Sequence, residues 1–318
     1  MTKYLVPCLL LLASARACIG DAEAEFSQLL ATPIVKAGLV TDESRPAPVD
    51  AAVEEQKACA GVAFSRSLKY GESDLNVLDV ATGDTKEPAR RPVLLFVAGE
   101  SFVGESGAPD VAGSLQDEAM CFAARHGMVG VRMNYRLAPA NPWPSGARDV
   151  AAATSWLHQN VDLFGGNRDE IVAVGYSVGA FHVASLLAHP EFQITDSDVA
   201  AAVLVSGIYR ASADASAQEK SYFGADASQY DQRSAFPGIL TIKTPLLLAW
   251  STQDPPRLVA EGETLKQRLC NSVTHCPRTT VLGYRESLAS VFEVDASGGG
   301  LAQPTLELVG EIEARGLP

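Results

Sequence analysis

The chain has 318 residues, of which 47% are hydrophobic and 20% charged, and its formal net charge is −13. This length and composition suit one large or two smaller globular domains with a substantial core. The negative charge argues against nucleic acid or an anionic membrane as a partner, because like charges repel. The sequence does not indicate an oligomeric state.

The first twenty residues are typical of a secretory signal peptide rather than of a core helix, the alternative interpretation. Lys3 precedes an apolar run over residues 4–13, and Ala15-Arg16-Ala17 provides a small-x-small cleavage site. The run is too short to span a membrane, and no later segment is long and apolar enough. We therefore expect a secreted or periplasmic protein. Lipid attachment at Cys18 is the less favoured alternative, because a basic residue stands close before it.

Export would permit disulfide bonds in the mature chain. Cys270 and Cys276 bracket a five-residue loop, and we predict a disulfide between them. Cys59 and Cys121 form the remaining candidate pair after Cys8 is removed with the signal peptide. No cysteine or histidine spacing resembles a zinc site, so no metal is expected.

Residues 21–60 are rich in Ala, Glu and Pro, and we interpret them as a mobile lead-in without chemistry. From residue 61 the pattern becomes regular. The predicted strands cover residues 62–68, 75–80, 92–97, 128–133, 171–174, 199–205, 245–250 and 278–282. The predicted helices cover residues 110–126, 147–161, 180–188, 256–269 and 304–314.

This alternation predicts one α/β domain over residues 61–318. The central sheet is mainly parallel, with helices on both faces and an N-terminal antiparallel hairpin that turns at Tyr70-Gly71. Residues 211–239 are polar and irregular, and we expect a loop or small cap over the top of the sheet. In such folds the reactive groups collect at the carboxyl ends of the strands.

The most informative motif is Gly175-Tyr176-Ser177-Val178-Gly179. It lies between an apolar strand and an apolar helix, which is the context that the Gly-x-Ser-x-Gly nucleophile elbow requires. The tight turn would lift the Ser177 hydroxyl above the sheet.

From about residue 62 to its end, the chain resembles the α/β-hydrolase fold. The resemblance is to the hormone-sensitive-lipase-like and feruloyl-esterase-like carboxylesterases. Its most specific parts, besides the elbow, are Asn134-Tyr-Arg-Leu-Ala-Pro139, Pro142-Trp143-Pro144 and Asp149. The resemblance implies acyl-enzyme chemistry on a small-molecule ester, without metal or cofactor, by a serine, an acid and a histidine in that order. Arg136 and Asp149 are expected to form a structural pair beside the elbow.

Residue by residue, the resemblance assigns Ser177 as nucleophile and Asp254, in the loop after a strand, as the orienting acid. The backbone N–H groups of Gly99, Glu100 and Val178 correspond to the oxyanion donors. His182 lies on the helix after the elbow, and we expect it to pack in the core.

Two elements depart from the family pattern. The loop that should supply the catalytic histidine contains none: counting from Gly283 the position is Glu286, and counting back from residues 291–292 it is Ser287. A glutamate with an ordinary pKa of about 4.3 is a poor base at neutral pH. The family's His-Gly-Gly-Gly loop reads Ala98-Gly99-Glu100-Ser101, which introduces an acidic side chain where negative charge develops.

The remaining histidines do not replace the missing base. The predicted elements place His126 and His275 at the wrong end of the sheet. His158 and His189 fall on helices away from the strand tips. Two hypotheses therefore stand: an exported serine carboxylesterase, or a catalytically impaired relative that uses the same pocket to bind a small molecule or a protein.

Overall fold

A computed structural model describes residues 59–84, 90–97, 99, 101–104, 113–194, 198–272, 276–283, 292 and 300–316. The predicted signal peptide lies outside these ranges, as does nearly all of the predicted lead-in.

The strands alternate with helices from β3 onward. The strands are β1 (Val62–Lys69), β2 (Val77–Gly83), β3 (Arg91–Val97), β4 (Val129–Met133), β5 (Gly166–Tyr176), β6 (Ala201–Val205), β7 (Leu246–Ser251) and β8 (Arg278–Leu282). The helices are α1 (Gly113–Arg125), α2 (Ser145–Asn160), α3 (Val178–Ala188), α4 (Ala217–Phe223), α5 (Pro256–Asn271) and α6 (Ala302–Gly316). Short 3₁₀ turns cover Val161–Phe164, Pro190–Phe192, Ala227–Gln229 and Gly238–Leu240.

The eight described strands form one sheet in the order β1-β2-β4-β3-β5-β6-β7-β8. β2 runs antiparallel to both β1 and β4, whereas every pairing from β4 to β8 is parallel. The predicted mainly parallel sheet with an antiparallel N-terminal hairpin is confirmed. The carboxyl ends of β3, β5, β6, β7 and β8 consequently share one edge.

Both faces of the central strands are buried, which explains their continuous apolar sequences. Along β3, Val93 and Leu95 face one core, and Leu94 and Phe96 face the other, as the two-residue period of a strand requires. The first core also contains residues of α2, α3 and α5, and the second contains residues of α1 and α6. Helices therefore cover the sheet on both faces.

β5 is longer than predicted, since it covers Gly166–Tyr176 rather than residues 171–174. One further boundary and one segment differ for local chemical reasons. β2 begins at Val77 rather than residue 75, because the Asn76 side chain organises the turn before it: its Oδ1 accepts from the Ser73 N–H and its Nδ2 donates to the Tyr70 hydroxyl. The segment over residues 211–239 is more regular than predicted, since it contains α4.

Two disulfides are present, one between distant segments and one between neighbouring segments of the chain. Cys59, just before β1, is bonded to Cys121 of α1 with an S–S distance of 2.01 Å. Cys270, near the end of α5, is bonded to Cys276, before β8, at 1.97 Å. Within the described ranges, no helix has the length and apolar character needed to traverse a bilayer.

Candidate active site

Ser177 occupies a sharp turn between the end of β5 and the start of α3. Its backbone has φ 54° and ψ −117°, a conformation that L-residues seldom adopt. The Ser177 N–H donates to the Val205 carbonyl at 2.9 Å, which ties the turn to β6. Gly175 is required here, since a Cβ on it would lie 2.6 Å from the Ala180 Cα. The half-buried hydroxyl thus stands at the carboxyl edge of the sheet.

Asp254 lies in the loop after β7, two strands away from Ser177 in the sheet. Its N–H donates to the Ser251 carbonyl at 3.2 Å, which closes the turn. Its Oδ2 accepts from the Ser251 N–H at 2.8 Å and from the Ser206 hydroxyl at 2.7 Å. One carboxylate oxygen is therefore fixed by two donors.

Ser206 is a part of this edge that the sequence reasoning missed. It follows β6, which lies between the strands that carry Ser177 and Asp254. The residue is buried, has φ 50°, and its N–H donates to the Ala249 carbonyl at 2.8 Å. A serine directly after a buried strand was the available signal, since the same rule identified Ser177.

The acid loop is also connected to β8. The Ser251 hydroxyl donates to the Gly283 carbonyl at 2.9 Å, and the Thr252 N–H donates to the Leu282 carbonyl at 3.0 Å. Residues 284–291 lie outside the described part of the chain, and so do the predicted base position Glu286 and its alternative Ser287. The last described residue before them, Gly283, stands at the same sheet edge as Asp254.

Two of the predicted oxyanion residues, Gly99 just after β3 and Val178 at the start of α3, are in contact. The Val178 N–H donates to the Gly99 carbonyl at 3.3 Å. A Cβ on Gly99 would lie 2.2 Å from the Tyr135 hydroxyl and 3.0 Å from the Val178 Cβ, so a side chain does not fit there. Glu100 lies outside the described residues. In this arrangement a carbonyl oxygen stands against the N–H that would bind an oxyanion.

None of the four described histidines is hydrogen-bonded to Ser177 or Asp254 in the described part of the chain; each has other partners. His182 is buried, as predicted, among the rings of Phe102, Tyr135 and Tyr222, and desolvation lowers its pKa to about 3. The other rings are hydrogen-bonded to backbone carbonyls, His126 to Phe122, His158 to Asp198 and His189 to Ser234. His275 lies outside the described residues.

The predicted pair of Arg136 and Asp149 is present. Asp149 is 2% exposed and accepts from the Arg136 backbone N–H at 2.8 Å. The guanidinium adds further bonds, including Nη2 to Oδ1 at 2.7 Å. The pair fixes the loop after β4 to α2, and Gly146 of this helix contacts the His182 ring below the elbow.

Helix α4 packs over the elbow as part of an aromatic cluster. Tyr222 is stacked on Phe102, with ring centroids 4.8 Å apart, and Phe223 meets the Phe181 ring edge-on at 5.1 Å. The helix begins with a capping box, in which Ser216 and Glu219 exchange hydrogen bonds. Arg257, at the start of α5, pairs with Glu219 at 2.8 Å. This ion pair connects α4 to the helix that follows the Asp254 loop.

This edge holds the Ser177 hydroxyl and, two strands away, the positioned carboxylate of Asp254, which are two of the groups used in acyl transfer. Within the described ranges, no three His, Cys, Asp or Glu side chains are grouped to hold a metal ion.

The carboxylesterase family model matches residues 49–234 of the chain. This range includes Gly99 and the elbow but ends before Asp254. Esterase LipC of Mycobacterium tuberculosis is 33% identical over 45% of this chain and 36% of its own length. Esterase LipQ of the same organism is 31% identical over 46% of this chain and 36% of its own. The chain therefore matches about a third of the length of these curated relatives.

Among solved structures, esterase B from Lactobacillus rhamnosis has a TM-score of 0.65 at 15% identity, covering 95% of this chain and 96% of its own. Thermogutta terrifontis esterase 2 has a TM-score of 0.57 at 19% identity, covering 81% and 95%. At these identities the structures support the α/β-hydrolase fold.

Proposed function

The chain belongs to the carboxylesterase family, and from this premise we propose that it is an exported hydrolase of small carboxylic esters that acts through an acyl-enzyme on Ser177. The carboxylic ester is the proposed substrate class, and the proposed chemistry uses neither metal nor cofactor.

The observation that carries the proposal is the backbone of Ser177. A non-glycine residue at φ 54° costs on the order of 1–3 kcal/mol, and such strain is concentrated at functional sites. The turn serves to present the hydroxyl. In the proposed reaction Ser177 Oγ attacks the ester carbonyl, the alcohol leaves, and water then releases the acid from the acylated serine.

Asp254 is the proposed acid. Both of its described side-chain hydrogen bonds are to Oδ2, so Oδ1 is the oxygen proposed to face a base. The family pattern places that base at Glu286 or Ser287, neither of which is an imidazole. Loss of the histidine in such a triad lowers kcat by about 10⁶, and about 10³–10⁴ over water remains from the rest of the site. We therefore expect slow hydrolysis.

The aromatic cluster beside the elbow supports small esters as the proposed substrates. Phe102, Tyr222 and Phe223 are buried and packed against one another above α3. A bulky acyl group would have to displace this cluster, and we therefore propose short acyl groups such as acetyl and butyryl.

Export is supported by the two disulfides, which persist in oxidising compartments. Mass spectrometry of the protein secreted by its native host, with and without reduction, tests both the pairing and removal of residues 1–20. Reduced thiols on an uncleaved chain would contradict this part of the proposal.

A second candidate function is non-catalytic binding in the same pocket. The observation that favours it is the bond from the Val178 N–H to the Gly99 carbonyl, which engages one of the donors an oxyanion requires. A neutral ligand that accepts no negative charge would not need to break this bond.

The experiment that separates the two is hydrolysis of p-nitrophenyl acetate and butyrate by the mature protein beside Ser177→Ala. We expect turnover above background that disappears in the variant. If both proteins are inert, and Glu286→His combined with Glu100→Gly gains activity, the natural protein is the binding module instead.

A further inference from the structure

A cavity of about 520 Å³ lies at the opposite end of the sheet from Ser177. It is formed where β7 and β8 begin, between the end of α5 and helix α6. Leu246 is the first residue of β7 and lines the cavity, whereas Ser251, the last, contacts Asp254. A six-residue strand spans about 17 Å from end to end, so the cavity is separate from the elbow.

Its wall is apolar. Leu246, Leu269 and Leu308 come from β7, α5 and α6, and all three are buried side chains that also belong to the two cores of the molecule. Pro245 and Pro277 complete this side. The volume is in the range of cavities that bind small molecules, which are usually lined by apolar residues with a few polar groups.

The polar groups around the cavity are mainly cationic. Among the described residues, Lys243, Arg278 and Arg315 line it together with the carboxylate of Glu311. Arg278 pairs with Glu307 at 3.1 Å and also with Glu311. In the part of the chain that the structure describes, Lys243 and Arg315 have no acidic partner. Two unpaired cations beside an apolar wall stand out in a protein with a net charge of −13.

We propose that this cavity binds an aliphatic chain that ends in an anionic head group. The leucine and proline wall removes the chain from water, while Lys243 and Arg315 hold the head group. A neutral chain would leave the two cations without a partner, and a small inorganic anion would leave the cavity beside the apolar wall unfilled. The site binds its ligand without a chemical step and does not depend on the reaction proposed for Ser177.

The test is isothermal titration calorimetry of linear carboxylates from butanoate to decanoate, with the alcohols of equal length. The protein carries Ser177→Ala, so that no ester chemistry contributes. Each added methylene that is buried should lower Kd about fourfold until the cavity is filled. Each carboxylate should bind more tightly than its alcohol, and the difference should shrink at high salt.

The head-group assignment is tested with Lys243→Ala/Arg315→Ala. Both side chains are exposed, so the variant should fold. We expect octanoate to bind about tenfold more weakly, because charge-assisted hydrogen bonds are lost, while octanol is unchanged. The matched control is Arg90→Ala/Lys220→Ala, which removes the same charge from exposed positions elsewhere and should leave the Kd of octanoate unchanged.

A third variant should change binding in the opposite direction. Glu311→Gln removes the carboxylate that lines the cavity among the described residues and releases Arg278 from one of its two described partners, so octanoate should bind more tightly. The proposal is wrong if octanoate and octanol bind equally, or if the control weakens binding as much as Lys243→Ala/Arg315→Ala. It is also wrong if no member of the series binds.

Discussion

Asp149 is a single residue on which the loop beside the elbow depends. All its described hydrogen bonds come from Arg136, and the carboxylate is almost inaccessible to solvent. Asp149→Ala would leave the guanidinium and a backbone N–H without partners. Because the Arg136 side chain is itself 32% exposed, we expect a loss of about 2–4 kcal/mol in the free energy of unfolding, measured with urea.

The control for this change is Asp169→Ala. Asp169 pairs with Arg90, but both side chains are mostly exposed, so the unfolding midpoint should hardly move. A similar loss in both variants would mean that the buried pair stabilises the fold no more than an exposed ion pair does.

His182 makes stability depend on pH in a definite direction. Its folded pKa of about 3 lies below the value of about 6.5 expected in the unfolded chain. Below pH 6.5 the unfolded chain therefore binds a proton that the folded protein does not, and stability falls as pH falls toward 3. The contribution approaches about 1.4 kcal/mol per pH unit near pH 5.

The measurement is the free energy of unfolding between pH 5 and 7 for the natural protein and for His182→Gln. The variant lacks this proton, and its stability should decline less steeply on acidification. Parallel curves for the two proteins would show that His182 binds its proton in the folded state as well.

At the scale of elements, the ends of β6 and β7 are joined through Ser206 and Asp254. Ser206→Ala removes the hydroxyl but keeps a side chain at φ 50°, whereas Ser206→Gly removes the hydroxyl and relieves the backbone. We expect the alanine variant to be less stable than the natural protein by about 1–2 kcal/mol. The glycine variant should recover about 1 kcal/mol of this loss.

Thermal and urea unfolding of the two variants check this order. An alanine variant as stable as the natural protein would exclude a stabilising bond to Asp254. Equal stability of the alanine and glycine variants would exclude backbone strain at Ser206.

The elements that the sequence could predict are those specified by local chemistry. The elbow was identifiable because Gly175 and Gly179 flank Ser177 between two apolar segments. Helix α4 was also predictable in principle, since Ser216 and Glu219 have the spacing of a capping box. The sequence did not indicate the helix, because its buried apolar residues, Tyr222 and Phe223, are adjacent and show no helical period, and the third buried residue is Glu219.

The parts of the site that could not be predicted depend on contacts between distant segments. The hydrogen bond from the Val178 N–H to Gly99 forms only if the Gly99 carbonyl points toward Val178. No residue type determines that direction. Likewise, the hydroxyl of Ser206 meets Asp254 only because β6 lies beside β7. The order of the strands in the sequence does not by itself determine that β6 and β7 are adjacent in the sheet.

For the whole molecule, the two disulfides should contribute unequally to stability. They close loops with sequence separations of 62 and 6 residues. In the chain-entropy model, the longer loop stabilises the fold by about 4 kcal/mol and the shorter one by about 2 kcal/mol. Cys59→Ala/Cys121→Ala should therefore unfold at a lower urea concentration than Cys270→Ala/Cys276→Ala. The reverse order would mean that the loss of loop entropy does not govern how much each disulfide stabilises the fold.

The bond between Cys59 and Cys121 also determines how the protein would respond to a protease. It encloses β1, β2, β3 and Gly99 in one covalent ring, while Ser177 and Asp254 lie outside it. A single cut anywhere between the two cysteines leaves both fragments attached, and they separate on a gel only after reduction. The segment that carries Gly99 can thus be cleaved without being lost from the molecule that carries the nucleophile.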